Sequence, residues 1–148
     1  MTLSPSPPGT STSHTILIVE DNKLVAKFYR MALERAGGFT CLVMEDVREM
    51  LRQVEGGEVH LVVLDVSLSG IEWEGQPIDG VELARLLKQR VPRDQQLPIL
   101  LATAHAMAGD RERLLAASGA DDYLEKPVYD AQQLVEKVRR LLHCAGSR

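Results

Sequence analysis

Four short strand-like runs in this chain, three of them wholly apolar, end in groups that could do chemistry. ILIV runs into Glu20-Asp21, LVVL into Asp65, ILLA into Thr103, and DYLE into Lys126-Pro127. Three carboxylates gathered together repel one another, and a hard cation such as magnesium, which takes oxygen ligands, would relieve that repulsion. A lysine ammonium and a hydroxyl beside the ion could hold two oxygens of a phosphoryl group. The metal would then hold a third and neutralise charge that builds during in-line transfer. The remaining carboxylate is free to attack. Taken singly, an acidic pair after a strand reads as a helix cap, and a strand-end Asp or Thr reads as a turn residue. Those readings do not explain why acid, acid, hydroxyl and amine close successive strand-like runs.

The elements that must position these groups follow from the pattern. Candidate strands are Thr15–Glu20, Thr40–Met44, Leu61–Asp65, Pro98–Thr103 and Asp122–Glu125. Helical spacing covers Lys23–Ala36, Val47–Val54, Gly80–Arg90, Arg111–Ser118 and Ala131–His143. Asp46 with Glu49, Asp79 with Glu82 and Asp130 with Gln133 carry the signature of a helix start, a capping side chain three residues before Glu or Gln. ILIV, LVVL and ILLA are continuously apolar, which suits parallel strands covered on both faces. A doubly wound α/β sheet follows, and such sheets bind ligands outside the carboxyl ends of their strands, where the strand order reverses.

At 148 residues, the chain is long enough for one domain with a real core. A net charge of −4 with 26% charged residues lacks the basic excess of a nucleic-acid binder, so no direct nucleic-acid contact is expected. Residues 1–13 are rich in Ser, Thr and Pro and read as a disordered tail. The domain is expected over 14–144, with a short tail at 145–148. The start lacks the basic and apolar stretches of a secretory signal, and no apolar run approaches the roughly 20 residues that span a bilayer. A cytoplasmic protein with no membrane association is the expectation. Cys41 and Cys144 show no metal-ligand spacing and read as inert thiols.

ILIVEDN, LVVLD, PILLATA and DYLEKP resemble the four signature segments of the receiver domains of bacterial two-component response regulators, over about Thr15 to His143. The resemblance implies a flavodoxin-like, chemotaxis-regulator-like fold: five parallel strands in order 2-1-3-4-5 with five helices. It implies that Asp65 is the phosphoacceptor and that Mg2+ or Mn2+ is held by Asp21, Asp65, Glu20 largely through water, and the backbone carbonyl of Ser67. Lys126 and Thr103 would each bind a phosphoryl oxygen. Tyr123 stands at the family's switch aromatic, with Ala104 leaving room for its ring, and the bond before Pro127 is expected to be cis. The implied partners are a sensor histidine kinase or histidine phosphotransfer protein and a downstream protein target. A phosphorylation-dependent homodimer is within the family's repertoire. Such a domain catalyses its own phosphorylation and dephosphorylation and is not a turnover enzyme.

The chain departs from the family after Asp65. Ser69 stands near the usual proline, and Ile71 to Ile78, with the single tryptophan Trp73, looks inserted. The insertion is expected to border the site and to modulate partner choice or phosphoryl lifetime; the plainer reading is a tolerated surface loop, since added loop length costs little. His105 occupies a position that in the family influences phosphoryl loss, while its plain reading is an exposed loop histidine. His14, His60 and His143 do not read as ligands.

A competing function is a docking module on the same fold that works without phosphorylation. A haloacid-dehalogenase-type phosphohydrolase would need an Asp two residues after the nucleophile, where Ser67 stands, and no Gly-rich phosphate loop follows any strand.

Overall fold

Successive residues of a strand point to opposite faces of its sheet, so a strand that is apolar throughout needs cover on both sides. That is how this chain is built. In the structure, a computed structural model that describes residues 14–104 and 109–146, the element order is β1 (Thr15–Val19), α1 (Lys23–Arg35), β2 (Thr40–Val43), α2 (Val47–Glu55), β3 (Leu61–Asp65), β4 (Glu72–Trp73), β5 (Gln76–Pro77), α3 (Gly80–Arg90), β6 (Ile99–Thr103), α4 (Asp110–Ser118), β7 (Asp122–Glu125) and α5 (Ala131–Gly146). The main sheet is parallel, in order β2-β1-β3-β6-β7, which is the expected 2-1-3-4-5 order once the β4–β5 hairpin is set aside.

The two faces carry separate cores. Leu17, Val19, Val62, Leu64, Ile99 and Leu101 pack with α2 and α3, while Ile16, Ile18, Leu61, Val63, Leu100 and Leu124 pack with α1 and α5. Cys41 lies in the second core, where burial pushes its thiol up to about 12, in keeping with an unreactive cysteine.

Of the three expected capping boxes, one closes in both directions. Asp79 accepts from Glu82 N–H (2.8 Å) while the Glu82 carboxylate accepts from Asp79 N–H (3.0 Å). Asp46 and Asp130 instead accept from the backbone two residues on, and Glu49 is engaged by Arg52 and Gln53. The last helix runs to Gly146 rather than His143.

The stretch expected as an inserted loop is an antiparallel hairpin. Trp73 pairs with Gln76 across a two-residue turn, with Glu74 and Gly75 both at positive φ (53° and 80°). Ile71 is buried in the α2–α3 core at 3% exposure and Trp73 and Ile78 pack against it, while the Arg90 guanidinium lies 5.8 Å from the Trp73 ring.

His60, just before β3, ties that strand to β1: its Nδ1 accepts the Thr15 N–H at 2.9 Å. Protonation would destroy that acceptor. Burial and the neighbouring His14 lower the His60 pKa from the ordinary 6.5, against a smaller opposing pull from Glu58. The folded state therefore binds this proton less readily than the unfolded chain. The His60 contribution to stability is complete above pH 6.5 and is lost as pH falls from there through the lower folded value. His60→Asn, which keeps an acceptor but cannot titrate, should flatten the decline in urea-unfolding free energy between about pH 6.5 and 5. An unchanged decline would assign it to other groups.

Candidate functional site

The strand register explains why distant residues meet. Val19 pairs with Leu64, so Glu20 and Asp65 are level at the carboxyl ends of neighbouring strands β1 and β3. Asp65 pairs with Ala102 and Thr103 with Glu125, which brings Thr103 and Lys126 to the same edge. From β1 the chain moves out to β2 on one side, and from β3 to β6 on the other. The crevice between β1 and β3 is therefore the switch point at which ligands of such sheets bind.

Glu20, Asp21 and Asp65 each offer a carboxylate oxygen within 4.8 Å of the others. Helix capping does not consume the acidic pair, because Asn22 caps α1 by accepting from Leu24 and Val25 N–H. Glu20 is 3% exposed and Asp65 is 4% exposed. Lys126 Nζ reaches both, at 3.1 Å to Glu20 Oε1 and 3.4 Å to Asp65 Oδ2. Burial raises the Glu20 pKa; the Asn22 N–H opposes this and the Asp65 charge adds to it. Burial alone would lower the Lys126 pKa, but its bond to Glu20 and the charge of Asp65 outweigh it and the net shift is upward.

Three carboxylates against one ammonium leave an excess of two negative charges. Charge and donor type therefore fit a divalent, oxygen-seeking cation such as Mg2+.

Thr103 is fully buried at the end of β6, and its carbonyl accepts from Lys126 N–H at 2.8 Å. Ser67 N–H donates to Asp65 Oδ1 at 3.1 Å. The Lys126–Pro127 peptide bond is cis. Ala104 is exposed beside Thr103, and His105 lies outside the described residues. Tyr123 is half-buried; its hydroxyl accepts from Arg111, and the Arg111 and Lys137 cations sit 5.0 and 5.2 Å from its ring. Trp73 is on the hairpin that packs along α2 and α3, beside a groove it lines with Ile78, Glu82, Arg85, Leu86 and Gln89.

Two positions carry roles that sequence reasoning did not assign. Ser69 donates its hydroxyl to Asp21 Oδ2 at 3.1 Å. Gly80 opens α3 directly against the end of β3: a Cβ there would lie 2.3 Å from the Asp65 carbonyl oxygen and 2.8 Å from Val66 Cα. Its signal was a glycine in the first turn of a helix, a residue whose extra conformational entropy disfavours it there and which so needs a reason. Gly80→Ala must push α3 and the Asp65 backbone apart, with an expected loss of about 1–3 kcal/mol in urea unfolding. Unchanged stability would mean that the contact is relieved at no cost.

The model of the response regulator receiver domain family matches residues 16–139. The chain belongs to that family. This receiver is 40% identical over 135 residues to the transcriptional regulatory protein TcrA of Mycobacterium tuberculosis, covering 90% of the chain and 47% of the relative. It is 35% identical over 130 residues to the phosphate regulon transcriptional regulatory protein PhoB of Rhizobium meliloti, covering 88% and 52%. The receiver thus spans about half the length of these relatives. Among solved structures, a putative response regulator from Chloroflexus aurantiacus matches at 31% identity and a TM-score of 0.71, covering 89% of the receiver and 99% of that chain. The receiver domain of the sensor histidine kinase PA1611 from Pseudomonas aeruginosa, solved with a magnesium ion in its active-site cleft, matches at 26% identity and a TM-score of 0.69, covering 89% and 99%. Among the described residues, no helix is long and apolar enough to cross a membrane.

Proposed function

We propose that this receiver accepts a phosphoryl group on Asp65 from the phosphohistidine of a sensor histidine kinase or histidine phosphotransfer protein. The supporting observation is the Asp65 carboxylate itself, buried at the strand end, 3.4 Å from the Lys126 ammonium and grouped with Glu20 and Asp21. A carboxylate oxygen of Asp65 bonds to phosphorus as the phosphorus–nitrogen bond breaks, and the bonding pair leaves with the imidazole nitrogen. Lys126 pairs with one phosphoryl oxygen, and the Thr103 hydroxyl donates to another. Mg2+ or Mn2+, when bound by Glu20, Asp21, Asp65 and the Ser67 carbonyl, neutralises charge on the transferring group. The magnesium ion in the active-site cleft of the related PA1611 receiver supports a cation in this cleft. The domain is substrate and catalyst of its own modification, including phosphoryl loss.

Output passes through the face of α4, β7 and α5. Thr103 moves toward the new oxygens, and Tyr123 exchanges its cation-bound position for one nearer Ala104, biasing a two-state surface toward a downstream protein or a second receiver. The relatives' names point to transcriptional control. The net charge of −4 favours a protein partner over direct nucleic-acid contact for this domain, which acts in the cytoplasm. The test is intact-mass spectrometry after incubation with acetyl phosphate and Mg2+, with Asp65→Asn as control.

A further inference from the structure

Asp21 stands at the open side of the acidic cluster, in the stretch between β1 and α1. A carboxylate there is free to rotate unless something holds it. Ser69 does so with two donors on one oxygen: its hydroxyl reaches Asp21 Oδ2 at 3.1 Å and its backbone N–H lies 3.4 Å from the same atom. A proline at this position, where the sequence departs from its family, could supply neither donor.

Ser69 is itself held from outside the cluster. Gly70 turns the chain at a φ of 76°, and Ile71 then plugs into the α2–α3 core. The Ile78 N–H closes the base of the hairpin on the Ile71 carbonyl at 3.0 Å. The inserted hairpin thus fixes the backbone two residues from the contact with Asp21.

We infer that Ser69 is a positioning residue for the cation site, braced by the hairpin, which orients the Asp21 carboxylate for the metal. This rests on the reading of Asp21 as a metal ligand. Hydrogen bonds to ligating groups typically govern metal affinity by about 10–100-fold, and an exposed bond such as this one belongs at the lower end.

The test is calorimetric titration with MgCl2 alone, without a phosphodonor, on the full chain. Ser69→Ala should bind Mg2+ about tenfold more weakly, and Ser69→Thr, which restores a hydroxyl, should recover most of the loss. Urea-unfolding midpoints in metal-free buffer should be the same for all three proteins. Ser69→Ala binding as tightly as the unmodified protein would overturn the inference and leave the receiver reading standing. Equal weakening by Ala and Thr, or weakening that tracks a lowered unfolding midpoint, would overturn it too. An unmodified protein that fails to bind Mg2+ would sink both.

Discussion

Asp65→Asn is expected to abolish the phosphoryl adduct completely while leaving the fold intact or slightly more stable. The amide keeps the volume of the carboxylate but has no anionic oxygen to attack phosphorus, and no neighbour can replace it. Glu20 is engaged by Lys126 and Asn22, and Asp21 is engaged by Ser69. The gain in stability follows from electrostatics. The charge of Asp65 is one of the causes raising the Glu20 pKa, so removing it relieves like-charge repulsion in a buried cleft. Intact-mass spectrometry should therefore show one added phosphoryl group on the unmodified protein with Mg2+, and none on Asp65→Asn or after chelation. Urea unfolding of the metal-free variant should match or exceed that of the parent. An adduct retained by Asp65→Asn would move the acceptor elsewhere. No adduct on the parent, where another receiver reacts, would favour a docking module that works without phosphorylation.

The sheet was legible in the sequence because burial on both faces leaves little latitude in residue type. Ile16 and Leu17 sit in different cores, yet both must be apolar. Glu20 and Asp65 were legible for a related reason: a charged residue directly after four buried apolar ones marks the edge of the sheet. The sequence could not show that Asn22 takes over the capping of α1, which spares Glu20 and Asp21 from that role.

The hairpin was hidden by its length and its turn. Two-residue strands carry no periodicity, and Glu74 at a φ of 53° lacks the Asn or Asp that usually marks such turns. Gly80 and Ser69 were opaque because their importance lies in what they approach. The first needs empty space beside the Asp65 backbone and the second reaches Asp21 across 48 positions of sequence. Neither relation has a local pattern.

Lys126→Met should separate the two jobs of the lysine by moving them in opposite directions. The ammonium offsets one of three carboxylate charges, so its removal raises the negative excess from two to three. Mg2+ affinity should rise, and calorimetric titration should show tighter binding than in the parent protein. Phosphorylation by acetyl phosphate at saturating Mg2+ should nevertheless slow by about 10²–10³-fold, because a preorganised donor aimed at the transferring oxygens is lost. In metal-free buffer the variant should unfold at lower urea, since Glu20 loses the Lys126 bond that partly offsets its burial; Mg2+ should restore much of that loss by supplying the missing positive charge. A lysine that served only as an ion pair would also give the destabilisation and its rescue. It would not give slow phosphorylation in a protein already saturated with metal, so a rate within about tenfold of the parent would remove Lys126 from the chemistry.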